Sequence, residues 1–114
     1  MPIRIKRVYL PADAGDGYRV LVDRLWPRGL SKSTLQADRW LKEVAPSDAL
    51  RKWFNHDADK WPGFVKKYTD ELAHNAAFSD LQQLAKMHKN ITLLYAAKDE
   101  MHNQAIVLAK LLAT

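Results

Sequence analysis

The run Arg19-Val20-Leu21-Val22 stops at Asp23 and gives way to Arg24-Leu25-Trp26-Pro27-Arg28-Gly29. Three aliphatic neighbours without helical spacing suit a strand buried on both faces, as strands are inside a parallel sheet. Ligands of open α/β sheets bind just past such strand ends. The loop that follows, with its aspartate, two arginines and proline-stiffened tryptophan, is therefore the first place to look for a site, and it favours an anionic partner.

The chain has 114 residues, one domain by length, and should bury roughly two thirds of its unfolded surface in one core. Hydrophobic residues at 47% and charged residues at 27% are ordinary for a globular protein. Without cysteine there is no disulfide, thiol nucleophile or thiolate metal site, a composition compatible with a reducing compartment. The segment Met1-Pro2-Ile3-Arg4-Ile5-Lys6-Arg7 lacks the apolar stretch of a signal peptide, and no segment approaches a membrane span, so a cytoplasmic protein is expected. The net charge of +5 is mostly N-terminal, with nine Lys or Arg against five Asp or Glu in residues 1–45. That excess suits phosphate or nucleic acid, and equally serves plain solubility.

Alternation predicts a first strand over Ile3 to Tyr9, and Pro11 to Gly17 reads as a loop. The second strand covers Arg19 to Asp23, and Ser31 caps a helical turn through Ala37. Asp38 to Val44 leans towards a strand, stopped by Pro46. Ser47 caps a short helix with Leu50, Trp53 and Phe54 on its apolar face, which breaks over Asn55 to Asp59. Helices follow over Lys60 to His74, with Pro62 in the first turn, and over Ala77 to His88, closed by a left-handed Asn90. Ile91 to Tyr95 is the last strand, and Asp99 caps a final helix with Ala105, Leu108, Ala109 and Leu112 inward. The expected architecture is a single compact α/β domain with a small, mostly parallel sheet of about four strands flanked by helices.

If the strands ending at Asp23 and Tyr95 lie parallel, Asp23, Arg24 and Arg28 face Lys98, Asp99, Glu100 and His102 across a crevice. Arginine forks and a helix N-terminus there favour a phosphate or carboxylate. Asp99 and His102 are the candidate proton carriers, although Asp99 serves equally as a cap. His56-Asp57, between two helices, would reach the same crevice or form a surface turn. No metal-ligand spacing is present, and Gly-x-Gly-x-x-Gly, Walker-type and Gly-x-Ser-x-Gly signatures are absent, so neither metal nor cofactor is expected. Trp53 and Trp61 belong in the core, whereas Trp26 either plugs the core's end or stacks on a base or guanidinium.

Three segments carry a family resemblance: Gly17 to Gly29, Trp40-Leu41-Lys42-Glu43 through Ala45-Pro46-Ser47 to Leu50-Arg51-Lys52-Trp53-Phe54, and Thr92 to Asp99 with His102-Asn103. Together they resemble the YeaO-like family of small bacterial proteins, a domain of unknown function. The resemblance implies one α/β domain over residues 1–114, supports the strand over Asp38 to Val44 and places motif residues at Asp23, Arg24, Trp26, Arg28, Lys42, Asp99, His102 and Asn103. It brings no activity, and members with uncharged residues at the positions of Asp99, Glu100 and His102 shift weight to the arginines. The expectation is a basic crevice for a nucleotide or phosphorylated metabolite, with Asp23, Arg24, Trp26, Arg28, Lys42 and Asn103 as contacts. Hydrolysis or transfer through Asp99 or His102 stays open beside plain binding. A nucleic-acid or protein binding module is the alternative, and the oligomeric state is open.

Overall fold

Four strands, β1 (Ile3–Arg7), β2 (Tyr18–Leu21), β3 (Arg39–Trp40) and β4 (Ile91–Tyr95), form one sheet in the order β1-β4-β2-β3. Every neighbouring pair is parallel. The computed structural model describes residues 3–113, so Met1 and Pro2 of the N-terminal reading lie outside the described residues. The inner strands β2 and β4 are the two apolar runs of the sequence, with Val20 opposite Leu93 and Leu21 opposite Leu94.

Successive strand residues point to opposite faces, and this sheet is covered on both. Val20, Val22, Ile91, Leu93 and Tyr95 belong to the larger apolar cluster, whereas Leu21 and Leu94 join Val8 and Leu35 in a smaller one. One core was expected, but a sheet buried on both faces needs two apolar layers. Helices α2 (Asp48–Phe54), α3 (Trp61–Leu72), α4 (Ala76–Met87) and α5 (Gln104–Ala113) supply the larger cluster. The short α1 (Lys32–Leu35), Trp26 and Leu30 cover the smaller.

Local chemistry sets the helix starts. Ser31 Oγ accepts from the Thr34 N–H, Ser47 Oγ from the Leu50 N–H, and Asn75 Oδ1 from the Phe78 N–H. Pro62 sits in the first turn of α3, where its missing N–H has no helical partner to lose. The Tyr68 hydroxyl, fully buried, donates to the Val44 carbonyl at 2.6 Å and pins α3 to the chain entering α2.

Four further expectations are corrected. Strand pairing covers just Arg39–Trp40 of the 38–44 segment, and Lys42–Val44 is a 3-10 turn. Leu41 and Val44 are both buried three residues apart, a spacing that strand alternation cannot place on one face. Asn90 is not left-handed: α4 ends at an extended His88 whose ring stacks on Tyr18 at 3.9 Å, and the Asn90 carbonyl accepts from the Tyr18 N–H. Asp99 does not cap α5. Asn103 does, its Oδ1 accepting from the Ile106 N–H at 3.1 Å, while Asp99 Oδ1 closes a separate turn with the N–H groups of Met101 and His102. Trp53 is 38% exposed, flanked by Lys60 and Lys67 whose ammonium groups lie 5.2 and 5.0 Å from its ring centre. Those cations satisfy the ring's face at the surface, where burial was expected.

Candidate functional site

Because β2 and β4 are parallel neighbours, the loops that leave them emerge on the same sheet edge. Between those loops and α2 lies a cavity of about 600 Å³. Asp23 joins its two sides: Oδ2 accepts from the Ala96 N–H at 2.9 Å, and Oδ1 accepts from the Gln104 side-chain amide at the start of α5. Its own carbonyl accepts from the Trp40 indole at 2.8 Å. Burial pushes the Asp23 carboxyl up to about 6, outweighing the opposite pull of the Ala96 N–H and Gln104 bonds.

A carboxyl with a raised folded-state pKa binds its proton more tightly in the folded protein. Its stabilising contribution is complete below the ordinary 3.8 and is lost as pH rises through about 6. Asp23→Asn keeps both bonds once the Gln104 amide turns over, and removes the ionisation. Relative to wild type, the variant should gain about 2 kcal/mol between pH 4 and pH 7, allowing for partial solvent screening. Urea midpoints measured across that range check this, and parallel pH profiles for the two proteins would contradict it.

Arg24 reaches across the cavity wall. Its Nη2 donates to the carbonyls of Ala45 and Pro46, each at 3.3 Å, and Nη1 lies 3.9 Å from the Glu43 carboxylate. Its Nε is buried with no hydrogen-bond partner among the described residues. From α3, Glu71 accepts from the Ser47 N–H and hydroxyl at 3.0 and 2.6 Å, so the entry to α2 is held from both sides. The last turn of α2 thereby brings Arg51 and Lys52 to the cavity beside Phe54, and His56 follows from the helix break.

Of the residues singled out from the sequence, Asp23, Arg24, Trp26, Arg28, His56, His102 and Asn103 line this cavity, whereas Asp57, Lys98 and Glu100 do not. Trp26 donates through its indole to the Leu30 carbonyl at 2.7 Å and meets Trp40 edge-on at 5.5 Å, so it also plugs the smaller apolar cluster. Asn103 is 3% exposed, with its amide committed to the Ile106 N–H and the Asp99 carbonyl. His102 Nδ1 pairs with Asp99 Oδ2 at 2.9 Å, and its ring lies edge-on to Trp61 at 5.2 Å. That hydrogen bond with His102 holds the Asp99 carboxyl below its ordinary value. Asp99 and Lys42 stand outside the lining: Asp99 orients His102 from behind, and Lys42 lies over the Trp40 ring at 5.6 Å.

Sequence reasoning missed Arg51, Lys52 and Gln104. For Arg51 and Lys52 the available signals were their place within the second resembling segment and in a last helical turn beside the His56 break. Gln104 carried none, since its partner Asp23 is 81 residues away. Among the described residues no group of three or more His, Asp or Glu is arranged to hold a metal ion, and no helix is long and apolar enough to cross a membrane.

The chain matches, over residues 2–114, a family model described as "Inactive DUF488-N3 subclade". It is 48% identical over 110 residues to the Uncharacterized protein YeaO of Escherichia coli strain K12, covering 96% of this chain and 95% of that one. It is 39% identical over 110 residues to the Uncharacterized protein Rv3073c of Mycobacterium tuberculosis strain H37Rv, covering 96% and 92%. No solved structure matches the chain. A family model spanning nearly every residue and a relative at this identity along 95% of its length agree, and the chain belongs to the YeaO-like DUF488 family.

Proposed function

We propose that the crevice is the binding site of a small anionic ligand, a nucleotide or phosphorylated metabolite, held by a cytoplasmic protein that does not transform it. One observation carries this reading: Arg24, Arg28, Arg51 and Lys52 surround a cavity in which Asp23, itself displaced towards neutrality, is the single carboxylate among the described lining residues. Guanidinium forks hold phosphates with paired bonds, and clefts lined by one sign of charge concentrate counter-ions. Phe54 and Phe64, with ring centres 4.5 Å apart, add an apolar wall suited to a base or other flat group. The description of the matched subclade as inactive favours binding over turnover.

Thermal unfolding in the presence of AMP tests this. A ligand bound by the folded state alone stabilises by mass action, about 2.7 kcal/mol at a hundredfold excess over Kd, which is a rise of roughly 10 °C for a chain of this size. Arg28→Ala with Arg51→Ala should keep the fold, since both side chains are exposed, and lose most of that rise. An equal rise in wild type and double variant, or none with AMP, pyrophosphate or citrate, would overturn the reading. A response confined to oligonucleotides and falling steeply with salt would instead mark a nucleic-acid binder.

A further inference from the structure

The chain leaves α2 through two consecutive left-handed residues, Asn55 at φ 47° and His56 at φ 55°, closed by the Asp57 N–H donating to the Phe54 carbonyl at 2.9 Å. A turn with positive φ at both central positions favours Asn-Gly. Asparagine tolerates its place here, as the left-handed cap of α2 whose N–H bonds the Arg51 carbonyl. Histidine stands where glycine would relieve the strain. Its side chain is exposed, lines the cavity, and makes no hydrogen bond, ion pair or ring contact with the described residues, so nothing within the fold explains it. Backbone strain of this kind, next to a cavity, is kept where the side chain serves a ligand.

We propose that His56 is a ligand contact of the crevice and receives the phosphoryl group of a phosphate monoester as an imidazolium. This rests on the small-anion reading above and narrows it to a class. A monoester dianion matches the charge around the cavity better than a single carboxylate does. Arg51 and Lys52 come from the last turn of α2, just before the break that carries His56, and Arg24 and Arg28 line the same cavity from the loop after β2. The other titratable groups of the cavity are Asp23, Tyr9 and, from the loop before α5, His102. Histidine is the side chain able to add positive charge to such a set near neutral pH. Asp23 and the phosphoryl group also titrate near pH 6, but they do so alike in wild type and in a His56 variant, so the comparison of the two isolates His56.

Calorimetric titration with AMP at pH 6.0 and pH 8.0, on wild type, His56→Gln and His56→Gly, tests the inference. His56→Gln should bind about tenfold more weakly than wild type at pH 6.0, the worth of one charge-assisted hydrogen bond, and nearly equally at pH 8.0. His56→Gly should lose the same affinity while its Tm rises by about 3 °C, because glycine accepts the left-handed backbone. Stability and affinity moving in opposite directions support the inference. If wild type binds AMP and His56→Gln matches it at both pH values, His56 is not a contact and the small-anion reading stands alone. Adenosine binding as tightly as AMP overturns the phosphoryl assignment. Parallel loss of stability and affinity in His56→Gly marks a structural histidine and overturns the inference, and a wild type that ignores AMP removes it together with the reading beneath it.

Discussion

Arg19→Ala should lower the stability of the domain by about 3 kcal/mol, seen as a lower urea midpoint with an unchanged slope. Arg19 is 4% exposed, and every arm of its guanidinium is used: Nη1 donates to Asp16 Oδ2 at 2.5 Å, Nη2 to the Leu35 carbonyl at 2.7 Å and Nε to the Gln36 carbonyl at 3.2 Å. Truncation leaves two carbonyls short of a donor and a carboxylate, also 4% exposed, with one cation where it had two. Burial pushes the Asp16 carboxyl up, yet the Lys6 ammonium, the Asp13 N–H and Arg19 together hold it below its ordinary 3.8. Its contribution is therefore present above that value and lost as pH falls through the folded-state value. Without Arg19 the balance tips back towards burial, so the variant should unfold at a higher pH on acid titration. Adding Asp16→Asn to Arg19→Ala should recover part of the loss, because the uncompensated charge goes with it. Strictly additive losses would show that the pair is not coupled. The consequence reaches the site, since this network fastens the end of α1 to β2 four residues before Asp23.

What the sequence revealed of this fold follows from which forces are local. Val20 to Val22 is an uninterrupted apolar run and Ile91 to Tyr95 is broken by Thr92 alone, and such runs have few places to go other than the inside of a parallel sheet. From their parallel pairing alone the meeting of the 23–29 and 96–103 loops follows, and the cavity forms there. The failures lie where two residues of equal local merit compete. Asp99 and Asn103 are both good caps four residues apart, and the choice falls to Asn103 because α5 must begin where Gln104 meets Asp23. Asn90 has the right chemistry to end a helix, but His88 already does so by stacking on Tyr18, a contact between residues seventy apart in the chain. Lys42 and Asp99 were themselves residues of the resembling motifs, Asp99 also a candidate proton carrier, and membership of a motif says nothing about the face a side chain occupies. Arg51 and Lys52 reach the cavity because Arg24 and Glu71 hold the entry to α2 in place, and neither distance is written into α2 itself.

Gly17→Ala should be the most damaging single methyl in the protein, with a loss of at least about 4 kcal/mol or failure to fold. Gly17 has φ 67° and ψ −135°, a region that residues with a Cβ avoid. A Cβ there would lie 2.3 Å from the Asn90 carbonyl oxygen and 2.6 Å from the Asn90 Cβ, so the obstruction is backbone that cannot swing aside. That carbonyl accepts from the Tyr18 N–H at 3.0 Å and begins the pairing of β2 with β4. Gly29→Ala is the control: φ is 78° there, but the added methyl meets nothing within 4 Å, leaving the left-handed penalty alone, about 1 kcal/mol. Urea unfolding of the two variants separates crowding from conformation, and similar losses would mean that the Asn90 contact yields easily. Any Gly17→Ala protein that does fold must have moved β2 relative to β4. A slip of one residue would turn Val20 and Val22 to the opposite face and carry Asp23 away from the Ala96 N–H. Such a protein should lose the fall in stability between pH 4 and pH 7 that Asp23 produces, so the same titration that characterises the site also reports whether the strand reaching it is in register.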